Sequence, residues 1–80
     1  MQIYIIHEEV CYDYETEHRI KPYRDKAKAI SDFEELVRHH TKNAEEDNWE
    51  INSNTDLFEA YDDGCYNENH IIVNFLEYTI

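Results

Sequence analysis

The chain has 80 residues, of which 41% are hydrophobic, and its 19 acidic and 7 basic side chains give a formal net charge of −12. This length predicts one domain, residues 1–80, and the apolar content is enough for a single modest core. The negative charge disfavours direct binding to nucleic acid or to anionic membranes, because such binding needs cationic side chains. Because no leader-like or membrane-spanning apolar run is present, we expect a cytoplasmic protein.

Five segments have the alternation and the β-branched or aromatic content of strands: 2–12, 17–22, 48–52, 56–61 and 70–78. In the first segment, alternation predicts one face with Ile3, Ile5, His7, Glu9 and Cys11 and another with Tyr4, Ile6, Glu8, Val10 and Tyr12. Pro22 and the neighbouring charges suit an edge strand.

The segment 24–47 is the only long stretch with helical periodicity. Asp25 can cap its first turn, and Pro22 discourages helix before it. The predicted apolar face contains Tyr23, Ala27, Ile30, Phe33, Val37, His40 and Ala44, widened by Ala29 and Leu36. The element order is therefore β-β-α-β-β-β. We predict an α+β fold, with a mostly antiparallel sheet and one long helix packed on one face.

The charges are unevenly distributed along the chain. All seven basic residues lie between Arg19 and Lys42, so residues 43–80 contain ten acidic residues and no Lys or Arg. This imbalance favours a basic partner, although high charge can also serve only to keep a small protein in solution. The predicted partner-binding residues are Glu45, Glu46, Asp47, Glu50, Asp56, Glu59, Asp62 and Asp63.

One helix covers only part of a five-stranded sheet, so the opposite face needs an explanation. The candidates for that face are Tyr4, Tyr12, Tyr14, Tyr61, Tyr66 and Tyr78. Tyrosine is a good strand former, and it is also enriched at protein interfaces. A homodimeric structural or regulatory protein is therefore a second hypothesis.

Motifs for metal binding or catalysis are weak. His7, Glu9 and Cys11 share a strand face, but their spacing matches no zinc pattern. The Asn- and Asp-rich turns lack a full calcium loop, and a single Gly excludes a phosphate-binding loop. We therefore predict no enzymatic activity, no metal and no cofactor, and we keep a small-ligand or metal binder as a third hypothesis. Cys11 and Cys65 are expected to be thiols.

The stretch 58–66, FEAYDDGCY, followed by HIIV at 70–73, resembles short uncharacterised proteins of bacteria and their phages. Size and acidity also resemble phage-encoded anti-defence proteins, including anti-CRISPR inhibitors, some of which present carboxylates as phosphate surrogates. This resemblance implies a basic, nucleic-acid-binding protein as the partner. The leading hypothesis is a non-enzymatic interaction protein that acts as a nucleic-acid-mimicking inhibitor.

Overall fold

The computed structural model describes residues 1–12, 15–62 and 69–80. Its elements are β1 (Gln2–Tyr12), β2 (Glu15–Tyr23), α1 (Lys26–Glu46), β3 (Glu50–Ser53), β4 (Leu57–Tyr61) and β5 (His70–Thr79). The predicted order β-β-α-β-β-β and the α+β class are confirmed. The boundaries differ by one or two residues at most ends, as expected where pairing rather than propensity decides where a strand stops. No described helix is long and apolar enough to cross a membrane.

The five strands form one antiparallel sheet in the order β2-β1-β5-β4-β3. The first and last strands of the chain therefore pair at the centre of the sheet. The edges are β2, as predicted from Pro22, and the short β3. The register places Glu9 opposite His18 of β2 and opposite Ile72 of β5.

The side chain of Asp25 caps helix α1, as predicted, by accepting hydrogen bonds from the N–H groups of Ala27 and Lys28 at 3.0 and 3.4 Å. The helix is buried along a line through Ala29, Phe33, His40 and Ala44. The prediction that Ala27 and Ile30 join this face is wrong. Ile30 follows Ala29 by one residue, about 100° around the helix, and lies outside the contact with the sheet.

We call the side of the sheet beneath α1 the covered face and the other side the open face. The covered face supplies the core with Tyr4, Ile6, Tyr23, Phe58, Ala60, Ile71 and Val73. On the open face the register aligns Ile3, Ile5, His7, Glu9, Leu57, Glu59, Tyr61, His70, Ile72, Leu76 and Tyr78. The alternation predicted for β1 is confirmed, because its even-numbered residues face the helix.

The tyrosines divide between the two faces. Tyr61 and Tyr78 lie on the open face, as predicted. Tyr4 is buried beneath the helix, and Tyr12 packs on Trp49 with a ring-centroid distance of 5.8 Å. The prediction is wrong for Tyr4 and Tyr12 because even-numbered positions of β1 point toward the helix. Tyr14 and Tyr66 lie outside the described residues.

Candidate functional site

Helix α1 ends in a Schellman motif that turns the chain into the sheet. Asn48 has a positive φ of 59°, and its N–H donates to the carbonyl of Glu45 at 3.2 Å. The N–H of Trp49 donates to the carbonyl of Ala44 at 2.9 Å. This pair of bonds satisfies the last helical carbonyls, and Asn tolerates the left-handed conformation well. The sequence interpretation missed this cap, although Asn followed by an aromatic residue was a signal for it.

Four predicted partner-binding carboxylates surround this helix end, and all four are exposed: Glu45, Glu46, Asp47 and Glu50. Asp62 directly follows Tyr61, which pairs with Glu50 across β3 and β4. Asp62 accepts a hydrogen bond from the side-chain amide of Asn69 at 3.1 Å, which anchors it at the same end of the sheet. We call these five residues, Glu45, Glu46, Asp47, Glu50 and Asp62, the acidic end.

Two of the other three predicted residues do not belong to the acidic end. Asp56 is exposed in the turn between β3 and β4, at the opposite end of those strands. Glu59 lies half-buried on the open face and accepts a hydrogen bond from the Tyr61 hydroxyl. Asp63 lies outside the described residues. The seven predicted residues that the structure describes are therefore not one surface.

Four members of the acidic end, Glu45, Glu46, Asp47 and Glu50, make no ion pair with a described residue. The last turn of α1 contains no basic residue, although the carboxyl end of a helix carries partial negative charge and is stabilised by cations. Glu8 and Glu9, by contrast, form ion pairs with described residues. The field reaches β1, where burial and then the charge of Asp47 raise the pKa of Tyr12.

A second cluster lies on the covered face. Glu8 Oε2 is 2.5 Å from Nε2 of His40, and its Oε1 is 3.8 Å from Nη1 of Arg19. The His40 ring stacks on Phe58 at a centroid distance of 6.3 Å. His40 Nδ1 is buried and has no hydrogen-bond partner among the described residues. Because Nδ1 is buried and Nε2 faces Glu8, the pair lies within the packed layer between the helix and the sheet.

Beside Glu8, a cleft of about 400 Å³ opens between β2 and α1, lined by Ile6, Glu8, Arg19, Lys21, Tyr23, Asp32, Glu35 and Leu36. The Tyr23 hydroxyl donates to Asp32 at 2.7 Å, and burial together with this hydrogen bond raises the pKa of Tyr23 to about 12. The cleft walls carry both charge signs in close alternation. No single ligand charge is favoured by such a lining.

The third cluster is on the open face. Glu9 Oε2 is 2.7 Å from Nε2 of His70, and Glu9 Oε1 is 3.8 Å from Nδ1 of His18. His18 Nδ1 lies 2.9 Å from His7 Nε2. Sequence interpretation placed His7, Glu9 and Cys11 on one face, which the register confirms, but it did not include His18 or His70. Those two residues come from neighbouring strands, so only the register brings them to Glu9.

No set of three or more His, Cys, Asp or Glu side chains in the described part of the chain is arranged to hold a metal ion. Cys11 is buried at the end of β1 next to this cluster, and Cys65 lies outside the described residues. The expectation that both cysteines are thiols stays a prediction. The contacts described within the open-face cluster join carboxylate oxygens and imidazole nitrogens of neighbouring strands.

Comparisons of this chain with protein-family models, with curated protein sequences and with solved structures find no match. The functional argument therefore rests on the charges, the burial and the register of this molecule.

Proposed function

We propose that this is a non-enzymatic interaction protein of the cytoplasm that binds a basic surface of another protein through its acidic end. The partner we favour is a nucleic-acid-binding protein, whose binding surface the carboxylates would occupy in place of phosphates. The protein would then act as an inhibitor that mimics nucleic acid. Direct binding to nucleic acid is disfavoured because both molecules are strongly negative.

The observation that carries this proposal is the series Glu45, Glu46 and Asp47 at the carboxyl end of α1. All three are exposed, and no basic residue shares the last turn. Each acid near this helix end is unfavourable by about 0.3–1 kcal/mol, and mutual repulsion adds to that cost. Solubility alone does not require acids at the position where they destabilise the helix, because any exposed position serves solubility equally well.

Position also supports a binding role. The Schellman turn fixes the helix end against the core through Trp49, so the carboxylates are held on a rigid element. Glu50 continues the same charge onto the exposed edge strand β3. A preorganised array loses less side-chain and loop entropy on binding than a flexible acidic tail would.

The test compares two variants that each change three exposed acids to lysine. One is E45K/E46K/D47K at the acidic end, and the matched control is E34K/E35K/E77K, which makes the same change in net charge elsewhere. Proteins captured from a bacterial lysate on the wild-type protein are identified at low salt. The affinity of one purified partner is then measured for all three proteins at two salt concentrations.

We expect the acidic-end variant to lose the partner, the control to keep most of the affinity, and wild-type binding to weaken as salt rises. Duplex or single-stranded nucleic acid should compete with the wild-type protein for the partner. Folding is followed by thermal melting, in which the acidic-end variant should be as stable as wild type or more so. Equal loss of binding in both variants would attribute capture to net charge and contradict the proposal.

A further inference from the structure

Strand β2 is the longer of the two edge strands of the sheet. It has nine residues, and the eight from Glu15 to Pro22 are all exposed. Ile20 retains 67% of its accessible surface on the open face. The other edge, β3, has only four residues. Proteins commonly protect edges by making them short, so a nine-residue edge whose outer side pairs with no other described strand is a natural place for a further strand.

The charges along β2 follow a self-complementary order. Glu15, Glu17, Arg19 and Lys21 point to the same side of the sheet, because they are opposite Tyr12, Val10, Glu8 and Ile6 of β1. Along this side of β2, the charge order is therefore acid, acid, base, base. When such a strand pairs antiparallel with a copy of itself, each acid can lie opposite a base.

We propose that β2 pairs antiparallel with β2 of a second copy of this chain, with His18 opposite His18 at the two-fold axis. This register places Glu15 opposite Lys21 of the second copy and Glu17 opposite Arg19 of the second copy, and symmetry forms each pair twice. The two sheets become one ten-stranded sheet with both helices on the same face. The interface is isologous, as in most symmetric dimers.

Neighbouring registers are less favourable. A two-residue shift that puts Arg19 on the axis keeps Glu17 opposite Lys21, but it places two guanidinium groups opposite each other and leaves Glu15 opposite Tyr23. A one-residue shift pairs odd-numbered with even-numbered positions, so Glu17 faces Ile20 and no acid faces a base. Directly opposed charges of opposite sign stabilise a strand pair, whereas like charges destabilise it. The charge order thus selects one register.

Local charge favours a second copy at this edge, although the whole molecule has a net charge of −12. The segment 15–21 carries two acids and two bases, so it is locally neutral. Glu50 lies on β3, four strand spacings or about 19 Å from β2. The helix-end acids are nearer, because the charge of Asp47 acts on Tyr12, which lies opposite Glu15. Repulsion between exposed acids is screened beyond about 8 Å at physiological salt.

The proposal does not depend on the acidic end, because the two surfaces share no residue. The experiment is sedimentation equilibrium of the purified full chain from micromolar to millimolar concentration. The variants are E15K, K21E and the double variant E15K/K21E. None of them changes Arg19, whose side chain approaches the buried Glu8. E46K and K28E are matched controls on the helix with the same single charge changes.

We expect a monomer–dimer equilibrium for wild type, and a dissociation constant roughly tenfold or more higher for E15K and for K21E, because each introduces two like-charge contacts. An equimolar mixture of E15K and K21E should regain the wild-type constant as a heterodimer. The double variant should regain it as a homodimer. Both rescues follow only if residues 15 and 21 lie opposite each other across the interface.

Several outcomes would overturn the proposal. A monomeric wild type at all concentrations would show that the charges and Pro22 keep this edge unpaired. Dimers of E15K and K21E as strong as wild type would place the interface elsewhere. Equal weakening by E46K and K28E would indicate a general effect of net charge. Amide hydrogen exchange adds a check that is independent of charge, since only the backbone of β2 should gain protection with concentration.

Discussion

Two consecutive residues of β1, Glu8 and Glu9, make the same kind of contact on opposite faces of one sheet. Each carboxylate lies within 2.7 Å of a histidine nitrogen, from His40 on the covered face and from His70 on the open face. The side chains of Glu8 and His40 are 8% and 10% exposed, whereas those of Glu9 and His70 are 27% and 22% exposed. Water therefore reaches the Glu9 pair more readily than the Glu8 pair. The two carboxylate–histidine pairs should therefore contribute differently to stability, because the helix buries only the Glu8 pair.

The largest loss of stability should come from truncating Phe33, the helix residue that packs on the covered face. Phe33 is buried and meets Phe75 edge-to-face at a centroid distance of 5.7 Å. Phe33→Ala should lower the free energy of unfolding by about 3–5 kcal/mol. Leu76→Ala, at a half-buried position of the open face, should cost only about 1–2 kcal/mol. Urea denaturation measures both, and equal losses would show that the two faces are equally packed.

Breaking the two carboxylate–histidine pairs should lower the free energy of unfolding by different amounts on the two faces. His40→Ala leaves Glu8 buried with only the more distant Arg19 nearby, and should cost about 3 kcal/mol. His70→Ala removes a partner that water can replace, and should cost about 0–1 kcal/mol.

Replacing both Glu8 and His40 tests whether the cost of His40→Ala comes from an unpaired buried charge. The double variant Glu8→Met, His40→Leu should recover most of the stability lost in His40→Ala, since no unpaired charge remains. Urea unfolding of His40→Ala, His70→Ala and the double variant measures these free energies. A double variant no more stable than His40→Ala would mean that the histidine acts mainly through packing against Phe58.

Tyrosine ionisation provides a third contrast between the faces. Burial first, and then the hydrogen bond to Asp32, raise the pKa of Tyr23 to about 12 on the covered face. On the open face, the hydrogen bond to Glu59 is the larger cause that raises the pKa of Tyr61. Asp32→Asn should therefore lower the Tyr23 pKa only in part, whereas Glu59→Gln should remove most of the rise at Tyr61. Ultraviolet titration of tyrosinate, with Tyr→Phe variants for assignment, measures both.

The raised Tyr23 pKa has a consequence for stability at high pH. A folded-state pKa above the unfolded value of 10.0 means that this contribution is complete below pH 10. It is lost as the pH rises from about 10 through 12, and it amounts to about 2–3 kcal/mol. In Tyr23→Phe this part of the alkaline loss should be absent. An unchanged alkaline profile would assign the loss to other groups.

The smallest effect concerns the helix end itself. Glu46→Lys places a cation beside the last carbonyls of α1 and should raise the free energy of unfolding by about 0.3–1 kcal/mol. The gain should shrink in high salt, because the site is exposed. Thermal melting at two ionic strengths measures it. A destabilised variant would show that Glu46 makes a structural contact.

The sequence predicted the elements well because their signals are local. The helix can be located without knowledge of the sheet. Its start is marked by Pro22 and Asp25, and its buried side by the spacing of Phe33, His40 and Ala44. Glu45, Glu46, Asp47 and Glu50 lie together because they are neighbours in the chain, and their role in binding stays a prediction. Glu59 was placed in the same group, although it belongs to the open face. The sequence alone does not determine which face of β4 the helix covers, because that depends on strand pairing.

The histidine clusters were missed for a related reason. His18 and His70 approach Glu9 only through two registers, and neither is determined by periodicity alone. A hairpin with Tyr12 opposite Glu15 would have predicted the Glu9–His18 neighbourhood, since that register follows directly along the two strands. The contact between Glu8 and His40 needs the helix crossing position as well. Such contacts depend on tertiary geometry that composition does not encode.

The central pairing of β1 with β5 has a consequence for the time order of folding. Its partners are separated by about as many residues as the chain allows, for example Gln2 and Thr79. Loop-closure entropy makes such a contact slow to form. On the ribosome, β1, β2 and α1 emerge first and can assemble locally, but the sheet cannot close until β5 has been synthesised. Until β5 pairs with β1, the edge of β1 that β5 will fill is available to strands of other chains, which makes the incomplete chain prone to aggregation.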